Sequence, residues 1–453
     1  LNKLIASILV VLLLALGAVL APQRAQAQGL SLIRDAEIER TLRIYANPLF
    51  QAAGLNPRGI RIFLVNSKTL NAFVAGGQNL FLFTGLIMEA DDPLETIGVI
   101  AHEAGHMAGG HLSSRPQRME ETQAGILISY LLGLGTALAS GQPGLGAAVI
   151  AGGQDLALKG LLRYTRSQES SADQAAITYL DATAQSPRGL MDFMQKLSGQ
   201  EALLLESQDP YLRTHPVTRE RIAAFRRAYE DSPYRDKPTP EKLIDLHQRM
   251  VAKLTGYLDP LRLVLIRYPD SDTSIPARYA RSIAYYRAED LAKALKVADS
   301  LVEEEPDNPF FHELRGQMLF EFGRLDEALK PYETAAALLP DEPTILLALA
   351  RVQLEIDDPQ LNKSALDNLL LVVDKEPDNG FAWRLLATAY SREGDQPMTM
   401  AALAESAFAQ GNYREAVARS KRAQEMLSSG TAAWLRAQDL EIEADRLFRK
   451  SQK

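Results

Sequence analysis

The sequence predicts a mainly α chain in two parts: an α+β domain with a small sheet, then an α-solenoid of stacked helical pairs. Two observations carry that reading. Before about residue 231, helical stretches surround two short runs of β type, residues 60–65 and 80–84, on either side of Gly76-Gly77. After residue 274 the chain turns repetitive with a period of 34 residues. The 453 residues allow two to three domains, and the boundaries are drawn at 1–27, 28–232, 233–273 and 274–453.

The first of these segments has Lys3, an apolar stretch over residues 4–21, and Ala25-Gln26-Ala27 before Gln28. That is the layout of a cleavable secretory signal peptide, so the mature chain is expected in the periplasm. An uncleaved anchor is the alternative, although the apolar stretch is marginal for the roughly twenty residues a span needs.

Chemistry concentrates at His102-Glu103-Ala104-Gly105-His106, inside the apolar-to-small run 97–108. This is HExxH. Helical residues four apart share a face with Cβ atoms about 6 Å apart, so both imidazoles can reach one ion while Glu103 leans over its open side. The α+β domain is therefore read as zincin-like, binding one Zn2+ per chain. With only six histidines in the chain, a chance match has little weight.

A third protein ligand is required. The pattern HExxHxxGxxH would put it at position 112, where the chain has Leu112. His111 is one residue out of register and, if the helix continues, points well away from the shared face. Glu169 and Asp173, in the stretch 166–173, lie four apart on one helical face. One carboxylate can bind the ion while the other accepts the free ring N–H of a ligating histidine.

Other chemistries find no support. The chain has no cysteine, GxSxG elbow, P-loop, or GxGxxG ahead of a helix. A net charge of −8 without a strong basic stripe argues against nucleic acid.

HExxH with Glu169-Ser170-Ser171-Ala172-Asp173, preceded by Asn71-Ala72-Phe73-Val74-Ala75-Gly76-Gly77 and followed by Thr214-His215-Pro216, resembles the M48 metallopeptidases. The chain is most similar to their periplasmic branch with tetratricopeptide repeats, over essentially all of it from about Leu30. The resemblance implies zinc on His102, His106 and Glu169, Glu103 as catalytic base, and Asp173 in support. It also implies that His215 can take the fourth zinc position and hold the enzyme latent. Asn71, Ala72, Phe73, Val74, Ala75 and Gly76 would lie along the active-site cleft, where an exposed edge could pair with substrate; the same residues suit a core hairpin. Arg221 would face either the substrate carbonyl or Asp side chains; an ordinary surface-helix arginine is the alternative. Zero cysteine departs from a member of that branch whose domains are tied by disulfides, so domain docking here has no covalent staple.

Residues 125–151 are apolar and small, broken by Ser140-Gly141-Gln142-Pro143-Gly144. Neither arm is long enough to span a bilayer. A helical hairpin near the site is expected, with a lip facing substrate or making peripheral membrane contact as the alternative.

After the Pro- and charge-rich linker 231–240, Pro306 and Pro340 bracket one repeat, with Gly316, Leu319, Gly323, Ala328, Tyr332 and Ala335 at tetratricopeptide spacings. The next unit ends three residues late at Pro377, which is read as a lengthened turn at 357–361. Trp383, Leu386, Tyr390 and Gly394 open another unit, and residues 411–416 mark a further one. Small residues at these positions let paired helices approach and build a concave binding face. His247 and His312 are read as structural. Two functions follow as expectations. One is an endopeptidase that removes unfolded or misassembled outer-membrane proteins, with its repeats on the assembly machinery. The other is a repeat scaffold or chaperone for that assembly with little turnover.

Overall fold

The computed structural model describes residues 31–111, 166–198, 215 and 218–452. The expected signal peptide and the expected hairpin over 125–151 lie outside the described residues.

The N-terminal domain is built on a four-stranded sheet of order β1-β2-β4-β3, with β1 at Leu32–Ile33, β2 at Arg61–Val65, β3 at Ala72–Ala75 and β4 at Asn79–Phe83. β2 and β4 are parallel, pairing Phe63 with Phe81, whereas β3 returns antiparallel to β4. Gly76 (φ 56°) and Gly77 (φ 87°) supply the left-handed turn between β3 and β4. Alternation divides the strands into two faces. Leu64, Ala72, Val74, Leu80 and Leu82 enter the main core, while Phe63, Phe73 and Phe81 stack at 4.8 Å between successive centroids on the other side.

Against the core face lie helices α1 (Ala36–Ala52), α2 (Thr84–Met88) and α3 (Pro93–Ala108). Asp35 caps α1 by accepting from the Ile38 N–H at 2.9 Å, and Ile38, Leu42, Tyr45 and Leu49 form its buried stripe. α3 starts equally sharply: Asp92 accepts from the Leu94 N–H and Pro93 sits in the first turn, where its missing donor costs nothing. Every residue from Pro93 to His106 is buried. A helix enclosed all round can hold catalytic side chains in fixed rotamers, and α4 (Arg166–Ala182), α5 (Arg188–Ser198) and α6 (Arg219–Asp231) complete the enclosure among the described residues.

The solenoid begins earlier than its periodic signal. α7 (Glu241–Leu258) packs on α1 and α2 and also on α9 (Ile275–Arg287), with α8 (Leu261–Arg267) between them in sequence. α10 (Leu291–Glu304) follows. Helical pairs then stack as α11 (Pro309–Glu321) with α12 (Leu325–Leu338), α13 (Pro343–Ile356) with α14 (Pro359–Lys375), α15 (Gly380–Arg392) with α16 (Gln396–Ala409), and α17 (Tyr413–Met426) with α18 (Ala432–Ser451). The three late residues do not lengthen the turn at 357–361. α14 has 17 residues where α12 has 14, because Asp358 caps the Gln360 and Leu361 N–H groups and Pro359 starts a helix instead of prolonging a loop.

Ion pairs join the two parts where cysteine is lacking. Lys253 of α7, itself buried, reaches Asp35 at 2.7 Å and Glu37 at 3.2 Å, and the Tyr279 hydroxyl donates to Glu37 at 2.7 Å. Arg34 pairs with Glu376 and Arg61 with Asp378 farther along the repeats. Buried pairs gain little net stability over apolar packing, yet removing one partner is costly, so loss of Lys253 is expected to weaken this docking.

Candidate metal centre

Three elements converge on the site. α3 presents His102, Glu103 and His106, α4 presents Glu169 and Asp173, and His215 enters from the chain between α5 and α6. The crossing of α3 and α4 depends on Gly105, the second variable residue of HExxH. A Cβ there would lie 2.8 Å from the Ala172 carbonyl oxygen, so only glycine lets the helices approach closely enough.

His102, His106, Glu169 and His215 each offer one donor atom, all within 4.8 Å of one another and all buried. His102 Nε2 is 3.1 Å from His106 Nε2 and 3.4 Å from His215 Nδ1. Glu169 Oε1 is 3.3 Å from His106 Nε2 and 3.0 Å from His215 Nδ1. A tetrahedral ion with bonds of about 2.0–2.1 Å sets its donors about 3.3 Å apart, so these residues fit a small divalent cation. Their nitrogen and oxygen chemistry suits it too.

Electrostatics point the same way. Burial alone would lower the His102 pKa, but Asp173 and Glu169 outweigh it and push the ring up to about 9. Burial likewise opposes ionisation of Glu169, and the three histidines overcome it, holding the carboxyl well below its usual range. The corner favours a cation, and a metal ion would compete with protons for it.

Behind the donors, His102 Nδ1 lies 2.9 Å from Asp173 Oδ1. Arg221 donates from Nε and Nη2 to the two Asp173 oxygens at 2.7 Å each, and its Nη1 is 2.8 Å from Glu169 Oε2. Of the readings open to Arg221 from sequence, the structure has it gripping acidic side chains. Replacing it with leucine should destabilise the metal-free protein by about 3–5 kcal/mol, because two buried carboxylates lose their shared cation. Urea unfolding of Arg221→Leu beside Arg221→Lys measures this, with lysine recovering part of the loss.

Glu103 is fully enclosed, its Oε1 3.4 Å from His215 Nε2. Burial raises its pKa against the opposing charges of His215 and His102. β3 runs beside α3 at the edge of the sheet, paired with β4 on one side; Asn71, Ala72, Phe73, Val74 and Ala75 are buried, and of that segment only Gly76 is exposed. Apolar strand residues and the phenylalanine stack draw it into the interior.

His111 differs from its sequence reading. The helix does not continue to it. α3 ends at Ala108 and the chain folds back, placing His111 Nδ1 2.9 Å from His106 Nδ1. The signal was the pair Gly109-Gly110, a helix stop that the register test against HExxHxxGxxH passed over.

This fold and site define a metallopeptidase domain followed by helical repeats. Residues 33–229 match peptidase family M48 and residues 279–343 match a tetratricopeptide repeat, so the chain carries an M48 peptidase domain joined to tetratricopeptide repeats. It is 26% identical over 393 residues to the beta-barrel assembly-enhancing protease of Yersinia pestis, covering 85% of this chain and 79% of that one. To the protein of the same name from Escherichia coli (strain K12) it is 25% identical over 410 residues, covering 88% and 81%. Metalloprotease LoiP of Escherichia coli (strain K12) is 26% identical over 195 residues, 42% of this chain and 71% of that protein.

Proposed function

We propose that this chain is a periplasmic zinc endopeptidase, acting on misassembled outer-membrane proteins and held latent at rest by His215. The observation that carries the reading is the buried tetrahedron of His102, His106, Glu169 and His215 with the Glu103 carboxylate at its side. When bound, zinc would polarise the scissile carbonyl and lower the pKa of a water at the corner that His215 Nδ1 takes at rest. Glu103 takes the proton of the attacking water and returns it to the amine as the C–N bond breaks, so one carboxylate serves as base and then acid. Asp173 accepts from His102 Nδ1 and keeps that ring in one tautomer, and Arg221 holds Asp173 and Glu169 in place.

The relatives' names support a role in β-barrel assembly, with the repeats as the surface for assembly machinery or unfolded substrate. The periplasmic address rests on the signal-like N-terminus. Among the described residues no helix is long and apolar enough to cross a membrane. A scaffold or chaperone with little turnover remains the second reading, favoured by the four protein donors that fill every tetrahedral corner.

Metal analysis and casein degradation by the full-length chain test the proposal together. One zinc per chain is expected, with occupancy lowered in His102→Ala, His106→Ala and Glu169→Ala, and the proteolysis of the opened His215→Ala form removed by a chelator. Proteolysis that survives complete removal of metal would sink the mechanism.

A further inference from the structure

His111 has no corner in the tetrahedron, yet the chain is bent to bring its ring against one. We propose that His111 is a positioning residue for His106, fixing the tautomer and orientation of that ring through a hydrogen bond between the two Nδ1 atoms. This rests on the reading of His106 as a metal ligand.

An imidazole that gives its Nε2 lone pair to an ion carries its proton on Nδ1, and that N–H needs an acceptor when the ring is buried. For His102 the acceptor is Asp173. For His106, which is completely buried, His111 Nδ1 lies at 2.9 Å, with the ring centroids 5.0 Å apart and the planes inclined by 77°. In this assignment His106 donates and His111 accepts. A neutral imidazole performs this task without adding another carboxylate to Glu103, Glu169 and Asp173.

Two glycines make the contact, each for a separate reason. Gly110 adopts φ 60° and reverses the chain after α3, while the Gly110 N–H donates to Met107 O at 3.1 Å and the His111 N–H to His106 O at 3.2 Å. Gly109 has an ordinary helical φ of −72°, so its backbone does not require glycine. The space does: a Cβ at Gly109 would stand 2.5 Å from His111 Nε2 and 2.9 Å from Cδ2 and Cε1. Gln168, next to Glu169 on α4, donates from Nε2 to the His111 carbonyl at 3.2 Å and ties the turn to the helix that carries the third donor.

The test uses the full-length chain as wild type, His111→Leu, His111→Asn and Gly109→Ala. Zinc affinity is measured by competition with a chromophoric chelator, and donor geometry by the visible absorption of the cobalt-substituted forms. His111→Leu should weaken zinc by about 10–100-fold and alter the cobalt spectrum, while saturating zinc still gives one ion per chain. His111→Asn, whose Oδ1 can accept where Nδ1 did, should recover most of the affinity. Gly109→Ala should behave like His111→Leu, because its methyl group displaces the imidazole without removing it. Melting of the metal-free forms separates any folding defect from the change in affinity. Zinc on the wild type with His111→Leu within about twofold of it overturns this inference alone. Asparagine as weak as leucine also overturns it, since the accepting atom would then be irrelevant. No zinc on the wild type would overturn the metal-centre reading as well.

Discussion

Glu103→Gln should retain the metal ion and lose hydrolysis by at least about a hundredfold, the usual scale for removal of a general base. The substitution keeps the shape of a side chain that is fully buried and therefore has no room to rearrange. Glutamine cannot take a proton from water, and in its place an amide group would face His215 Nε2, which stands 3.4 Å from Glu103 Oε1. None of the four donor atoms belongs to Glu103, so metal content should equal that of the wild type. Casein degradation and metal content measured on the same preparation decide the matter. Undiminished cleavage with full metal would mean that the proton is carried by another group. That result would end the mechanism assigned to Glu103.

Much of the site was legible because its spacing is local. His102 with His106, and Glu169 with Asp173, are each four apart, and a helix puts such residues on one face whatever the rest of the fold does. The repeats were legible for the same reason, since small residues recur wherever helices of a pair must touch. What was not legible depends on where elements stop and on what they meet. The two-residue strand β1 is too short to show any alternation. The fate of His111 turned on whether α3 ends at Ala108, and two adjacent glycines signal such an end without saying where the next ring will land. Arg221 was reached only through the family resemblance, because it lies far in sequence from the two carboxylates it holds and no period links residues brought together by the packing of α6 on α4. The extra residues of α14 were misplaced because Asp-Pro marks both turns and helix starts. Which of the two it is depends on whether the Asp side chain caps, as Asp358 does.

His215→Ala should raise cleavage of unfolded protein by at least about tenfold, if the open form of the wild type is a minor state of the usual population, 10% or less. His215 Nδ1 stands 3.0 Å from Glu169 Oε1 and 3.4 Å from His102 Nε2, at the corner that a nucleophilic water would need. Its Nε2 faces Glu103. One imidazole thus blocks the water site and neighbours the base, and alanine should free both together. Zinc should stay, since two histidines and a carboxylate suffice to hold it in catalytic sites. The gain should extend to self-cleavage during purification, and the double variant Glu103→Gln, His215→Ala should lose it, showing that the new activity arises at this centre. If His215 holds the proposed latent state, opening in the wild type would require a ligand that binds the open state better than the closed one, and the repeat domain, docked on α1 through Lys253, would be a surface for it. A loss of activity in His215→Ala would reverse the assignment. His215 would then be a group that binds substrate or stabilises the transition state, and the latency reading would be withdrawn.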